Sequence, residues 1–380
     1  MLSILNIGID RSLLMAGSEA GRRQLVYARE LPARTIHLVK ARPSDPATRE
    51  IDPLLSVKSV PVRHWVEFFF RAVVAADAVL RTEQLDIIQV QDPYLCGPVG
   101  AWLAWRHRLP LVVGAFSDEI ENPVWLAERP LNRVANLVGK WTLRRASAVR
   151  ADSEQVADRL RLLTDSVFYV PFLIMNDQEL AQPAVEAPAV RRELLGGRAG
   201  PLLLAVTRLE PEKNVAMMIE AVASVSRQLT GVTLTIAGDG TQRASLRNLA
   251  EAKLPSAVRF LGWADSSRLP ALYQAADLTL LSSDRESAAR VLTETLLAGT
   301  PVVTTNTAGA REVVTDGVDG RIVPVGDARA FASAILDLCS GRTDLHQMGL
   351  TASGRMSKSY SSAVVIDGLR AVYAAARGIN

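Results

Sequence analysis

Cysteine is almost absent: the 380 residues hold two, Cys96 and Cys339. Thiols so far apart build no disulfide framework, and neither sits in a metal-ligand spacing, so a zinc site is not expected. Nowhere do about 18 apolar residues run uninterrupted, which argues against a membrane-spanning helix. An excess of one charge is missing too. The 43 Lys and Arg against 40 Asp and Glu leave +3, too little to imply a nucleic-acid partner. The opening MLSILNIGID has no basic leader and no small-residue cleavage pattern, so it reads as a first strand rather than a secretory signal. A cytoplasmic protein is expected. No short-period repeat or low-complexity tract occurs.

What is there is a globular composition, 48% hydrophobic and 22% charged with a mean hydropathy of +0.13. The length suggests about two domains. Short apolar runs alternate with longer amphipathic segments, the pattern of parallel sheets covered by helices. In the first half the strand candidates are residues 2–9, 35–41, 86–92, 110–116, 146–153 and 167–171. In the second half they are PLLLAVTRL, VTLTIAGDG, VRFLGWA, LTLLSS, PVVTT and RIVPV. The expected fold class is α/β: two Rossmann-like doubly wound domains facing across a cleft. The expected boundaries are 1–178, a linker over 179–200, and 201–358, with a C-terminal helix over 360–380 packing back on the first domain. In such sheets ligands sit beyond the carboxyl ends of the strands.

The stretch DRESAARVLTETLLAG carries Glu286 and Glu294. On one helix, eight residues would separate them by roughly 12 Å along the axis, too far for a carboxylate pair acting on one bond. They fit two grips on one elongated ligand, with a solvated helix face as the plain alternative. Ser287 is a good N-cap and Gly299-Thr300-Pro301 a good stop, so a helix is expected over 288–298 with Glu286 just outside it. The start of that helix would attract an anion such as a diphosphate. In AVTRLEPEKNV, Arg208 and Lys213 sit in the turn after a strand, where two cations could neutralise a pyrophosphate. Gly238 and Gly240 in IAGDGTQ would permit backbone approach.

Taken in order, TRLEPEKNV, IAGDG, VRFLGW, SSDRESAARVLTETLLAGTPVVTT and REVVTDGVDGRIVPVGD resemble the donor domain of retaining family 4 glycosyltransferases of the GT-B fold. Fainter likeness runs through residues 86–119 and 146–160. The resemblance implies Glu286 beside the donor sugar hydroxyls and Glu294 beside the ribose. It implies Arg208 and Lys213 on the diphosphate, and backbone at Gly262, Trp263 and Ala264 reading the base. Ser287, Ala288, Ala289, Arg290, Gly238, Gly240 and Gly17, the last in the first loop of the acceptor domain, complete the implied donor site. The implied activity is metal-independent, retaining transfer of a hexose from a nucleoside-diphosphate sugar, such as a UDP-sugar, to a hydroxyl of a glycan, lipid-linked or small-molecule acceptor. Polysaccharide biosynthesis is the implied setting. The nucleotide sugar is a substrate, and no cofactor is expected.

Two departures stand out. Phe116 occupies the place where the family often has a histidine, and Ala288-Ala289 replace a common Phe-Gly pair. Asp118 is the candidate to take over the sugar or acceptor contact. These departures keep open a non-catalytic sugar-nucleotide-binding relative, and a GT-B epimerase is a further alternative. Two segments raise a peripheral contact at the inner membrane face. HWVEFFFRAVVAADAVL is aromatic at its start, and residues 129–145 hold five basic residues and no acidic one.

Overall fold

The computed structural model describes residues 1–286, 290–341 and 344–379. It divides into two compact units, residues 1–173 with 363–380, and residues 174–362.

The first unit is an eight-stranded sheet in the order β3-β4-β2-β1-β5-β6-β7-β8. Its strands are β1 (Leu2–Gly8), β2 (Ala33–Ala41), β3 (Thr48–Asp52), β4 (Leu55–Pro61), β5 (Ile87–Val90), β6 (Leu111–Ala115), β7 (Ala148–Ala151) and β8 (Val167–Tyr169). All neighbours run parallel except β3 against β4. The central strands are mostly buried and read as largely apolar runs, as a sheet covered on both faces requires. The hairpin β3–β4 is absent from the sequence expectations. Charged residues, the exposed Glu50 and the half-buried Arg49 and Asp52, blur its apolar alternation at the sheet edge.

Helices α1 (Glu19–Glu30), α2 (Trp65–Thr82), α3 (Gly97–His107), α4 (Pro123–Glu128), α5 (Pro130–Leu143) and α6 (Glu154–Arg161) link these strands. Ser18 caps α1 by accepting from the Gly21 N–H at 3.2 Å.

The second unit is a parallel six-stranded sheet ordered β11-β10-β9-β12-β13-β14. Its strands are β9 (Leu202–Val206), β10 (Thr233–Ala237), β11 (Val258–Gly262), β12 (Leu278–Leu281), β13 (Val302–Thr305) and β14 (Gly320–Val323). Its helices are α7 (Asp177–Ala181), α8 (Ala187–Leu195), α9 (Val215–Ser226), α10 (Arg243–Lys253), α11 (Leu269–Ala275), α12 (Arg290–Leu297), α13 (Ala308–Val313), α14 (Ala328–Cys339) and α15 (Leu345–Ser359). Residues 179–200, expected as a linker, instead carry the end of α7 and all of α8. Leu180, Val190 and Leu194 join a buried cluster with α11 and α12. Three apolar residues on Ala- and Pro-rich helices are too sparse a pattern to betray that burial.

A last helix, α16 (Ser362–Ala376), belongs to the first unit. It buries Val365, Ile366, Leu369 and Val372, and the Tyr373 hydroxyl donates to Gln89 Oε1 at 2.7 Å. Among the described residues no helix is long and apolar enough to cross a membrane.

Candidate functional site

Two loops of the second unit meet at the carboxyl ends of β9 and β12. Lys213 ends a short 3-10 turn after β9, and Glu286 lies on the loop leaving β12. Lys213 Nζ stands 2.5 Å from Glu286 Oε2, and only 12% and 18% of the two side chains are exposed. The Ser283 hydroxyl donates to the same carboxylate oxygen at 3.2 Å, and the Glu286 carbonyl accepts from the Gly309 N–H at 2.8 Å.

Backbone stitching sets this meeting. The Ser282 hydroxyl lies 2.9 and 3.0 Å from the carbonyls of Lys213 and Asn214, one donor shared between two acceptors. The Asp284 N–H donates to the Glu212 carbonyl at 2.9 Å, and the Asn214 amide donates to Asp284 Oδ1 at 2.9 Å. Asn214 itself has φ +45°, a left-handed conformation that Asn tolerates better than branched residues.

Glu294 lies one helix deeper, on α12. Its Oε2 accepts from the Tyr273 hydroxyl at 2.9 Å and its Oε1 from Arg290 Nε at 2.7 Å, with 5% of the side chain exposed. A buried carboxylate needs such partners. In return burial, then the Glu294 charge, pushes the Tyr273 phenol well above its usual range. Two acceptor positions of the carboxylate are engaged, and an ionised carboxylate offers about four.

Gly238 and Gly240 have a specific reason to be glycine. A Cβ on Gly238, at φ +149°, would lie 1.8 Å from the Thr207 carbonyl oxygen, and one on Gly240 would lie 2.5 Å from that of Leu209. The close approach is made by the chain's own loop after β9. Thr207 and Leu209 donate to the carbonyls of Ala237 and Asp239, and the Thr241 N–H and hydroxyl both donate to Glu210. Those two bonds hold the Glu210 carboxyl below its ordinary range.

The other residues expected in the donor site are spread around this frame. Arg208 is largely exposed and paired with Glu212 at 2.9 Å, on its own loop. Gly262 has φ +74°, Trp263 is exposed, and Ala264 is half-buried. Ser287, Ala288 and Ala289, with the expected helix start, lie outside the described residues.

In the first unit, Gly17 has φ +69° with open space where a Cβ would sit. Asp118 pairs with Arg159 and accepts from the Asn122 amide at 3.0 Å. Its acidic neighbours are engaged too: Ser117 and Tyr94 donate to Glu119, and Asn136 and Lys140 hold Glu121. The Phe116 ring folds back over Gly114, whose Cβ would come within 2.7 Å of it. The buried Arg150 guanidinium lies 5.2 Å from the Phe116 centroid and 5.6 Å from that of Tyr27, and its Nε has no hydrogen-bond partner among the described residues.

Sequence reasoning missed Tyr273, Ser282 and Asn214. A lone tyrosine among the apolar residues of ALYQAA was the available signal for the first. The other two act through side-chain hydrogen bonds to partners 68 to 70 residues away, which no local pattern records.

Two family models match the chain. Residues 190–354 match "Glycosyl transferases group 1", and residues 18–166 match "Glycosyl transferase 4-like domain". Glycogen synthase of Mycobacterium tuberculosis is 29% identical over 299 residues, spanning 78% of this chain and 70% of that protein. Among solved structures, sucrose-phosphate synthase from Thermosynechococcus elongatus superposes with a TM-score of 0.79 at 22% identity, covering 98% of each chain. HepE from Anabaena, solved with UDP, gives 0.76 at 20% identity, covering 97% of this chain and 98% of its own. The two α/β units are those of the GT-B fold.

Proposed function

The chain belongs to the glycosyl transferases group 1 family, and from that premise we propose that it transfers a sugar from a nucleoside diphosphate to an acceptor hydroxyl with retention and without a metal ion. The observation that carries this reading is the Lys213–Glu286 pair, a cation and a carboxylate held together at the strand ends of the second unit. Lys213 would neutralise the departing diphosphate while Glu286 accepts from hydroxyls of the sugar. Arg208 would swing from Glu212 to the phosphates, its exposure leaving it room to do so. The spare acceptor positions of Glu294 would take the ribose hydroxyls. Gly262, Trp263 and Ala264 would face the base.

In the proposed step the acceptor oxygen bonds the anomeric carbon on the face from which the phosphate leaves. The bond from that carbon to the phosphate oxygen breaks, and the hydroxyl proton passes to the phosphate. No side-chain nucleophile is required, so phenylalanine at 116 leaves the step possible. The family relationship favours this enzyme over the binding-only and epimerase alternatives. A lipid-linked acceptor would fit a site of action at the inner membrane face.

Calorimetry with UDP-, GDP- and ADP-sugars tests the donor, with UDP first because HepE was solved with it. Product analysis by NMR then reads the anomeric configuration, and turnover in EDTA reads the metal requirement. An inverted product, or activity abolished by EDTA and restored by a divalent ion, would overturn the corresponding part of the proposal.

A further inference from the structure

Three helices of the first unit turn apolar side chains to solvent. On α2, Val66, Phe70 and Val74 recur every four residues and are all more than half exposed, while Phe68 beside them is fully buried. That spacing is an outward stripe, opposite the face that packs on the sheet. On α5, Val134, Leu137 and Trp141 make a second stripe, and α3 lies against both helices and exposes Trp102 and Trp105. Between α3 and α5, Trp102, Trp105, Trp141 and Arg145 line an open cavity of ≈ 480 Å³. Isolated exposed apolar residues are ordinary; adjacent stripes on three neighbouring helices mark an interaction surface.

The charge on this face says what it meets. Residues 129–145 carry Arg129, Arg133, Lys140, Arg144 and Arg145 and no acid. Among the described residues the ion pairs of the face are Arg71–Glu67, Arg81–Asp77, His107–Asp77 and Lys140–Glu121, and the exposed Arg106, Arg108, Arg129, Arg133, Arg144 and Arg145 are not among them. Arg145 stacks 4.1 Å over the Trp141 ring, so cation and aromatic are presented together.

We propose that the face formed by α2, α3 and α5 docks on an anionic lipid bilayer. Indole rings suit the headgroup layer, and arginines beside them reach phosphates while their stems lie along the apolar surface. A second copy of the chain fits poorly. A two-fold contact through this face would bring two copies of the same basic surface together. The inference stands on the first unit alone and does not depend on the donor chemistry of the second.

The test is flotation of the full chain with vesicles of phosphatidylcholine containing about 30% phosphatidylglycerol, and with phosphatidylcholine alone, in about 0.1 M and about 0.5 M salt. Expected is partition to the anionic vesicles with a blue shift of tryptophan emission, and at least a tenfold weaker partition to neutral vesicles or in high salt. Trp105→Ser with Leu137→Ser, and separately Arg133→Glu with Arg144→Glu, should each lower partition at least tenfold. Arg192→Glu on α8 should not. Circular dichroism and urea unfolding confirm that each variant is folded. No binding to anionic vesicles, equal binding to neutral ones, or binding indifferent to both double variants overturns the proposal. So does a dimer in light scattering that Leu137→Ser dissolves, which would make the face a contact between copies.

Discussion

Lys213 Nζ meets Glu286 Oε2 at 2.5 Å although 73 residues separate them in sequence. If the pair works as proposed, the two halves should fail differently. Lys213→Ala should weaken nucleoside-diphosphate binding and lower kcat by roughly 10²–10³, because the leaving phosphate loses its cation. Glu286→Gln should lower kcat comparably with nucleotide affinity nearly unchanged. Calorimetry and initial rates separate the two, and unchanged turnover in either variant removes that residue from the reaction.

Tyr273 donates to a carboxylate that is almost wholly enclosed. Tyr273→Phe leaves Glu294 with Arg290 alone and should cost about 1.5–3 kcal/mol of unfolding free energy, the range for a hydrogen bond to a charged group. Urea unfolding measures it. A loss below about 0.5 kcal/mol would mean that water replaces the phenol.

Gly238 and Gly17 both have positive φ and should respond unequally to alanine. At Gly238 the new Cβ would collide with the Thr207 carbonyl, which is fixed backbone, so Gly238→Ala should cost about 4 kcal/mol or prevent folding. At Gly17 nothing lies within 4 Å, and only the backbone preference is lost, about 1 kcal/mol. Thermal or urea unfolding of the two variants gives the comparison.

His37 sits on β2 with its ring enclosed, and burial pulls its pKa from 6.5 down to about 4. Between those values the unfolded chain binds the extra proton and the folded chain does not. Stability therefore falls as pH drops from about 6.5 to about 4, by roughly 3 kcal/mol from this group. Urea unfolding at steps across that window should show the slope in the parent and a flatter profile in His37→Leu. Asp45, held down to about 2 chiefly by its hydrogen bond from Arg11, adds its own loss only below about pH 4.

Much of this architecture is legible in the sequence because a covered parallel sheet needs apolar strands, and twelve such runs stand clear. The hairpin Thr48–Pro61 escapes because an edge strand may carry charge, and α8 escapes because its burial rests on Val190 and Leu194. At the candidate site the reading of Lys213 and Glu286 puts both at the strand ends. Their mutual contact depends on the loops after the neighbouring strands β9 and β12, which Ser282 and Asn214 tie together. Gly238 is legible as a place of close approach, but the approaching segment, the Thr207 loop, follows from the pairing of β9 with β10, which local sequence does not record. Likewise His107 lies 2.8 Å from Asp77, thirty residues away, a pairing that no local pattern records.

The α16 helix gives the chain an order of assembly. Residues 1–173 leave the ribosome first, yet the sheet they form waits for Leu369, Val372 and Tyr373 to cover it. The second unit, complete by residue 362, can close before the first one does. Of the two units, the one that begins first along the chain is thus the last to be finished. A nonsense or frameshift lesion near residue 362 would spare the second unit and leave its damage at the opposite end of the sequence.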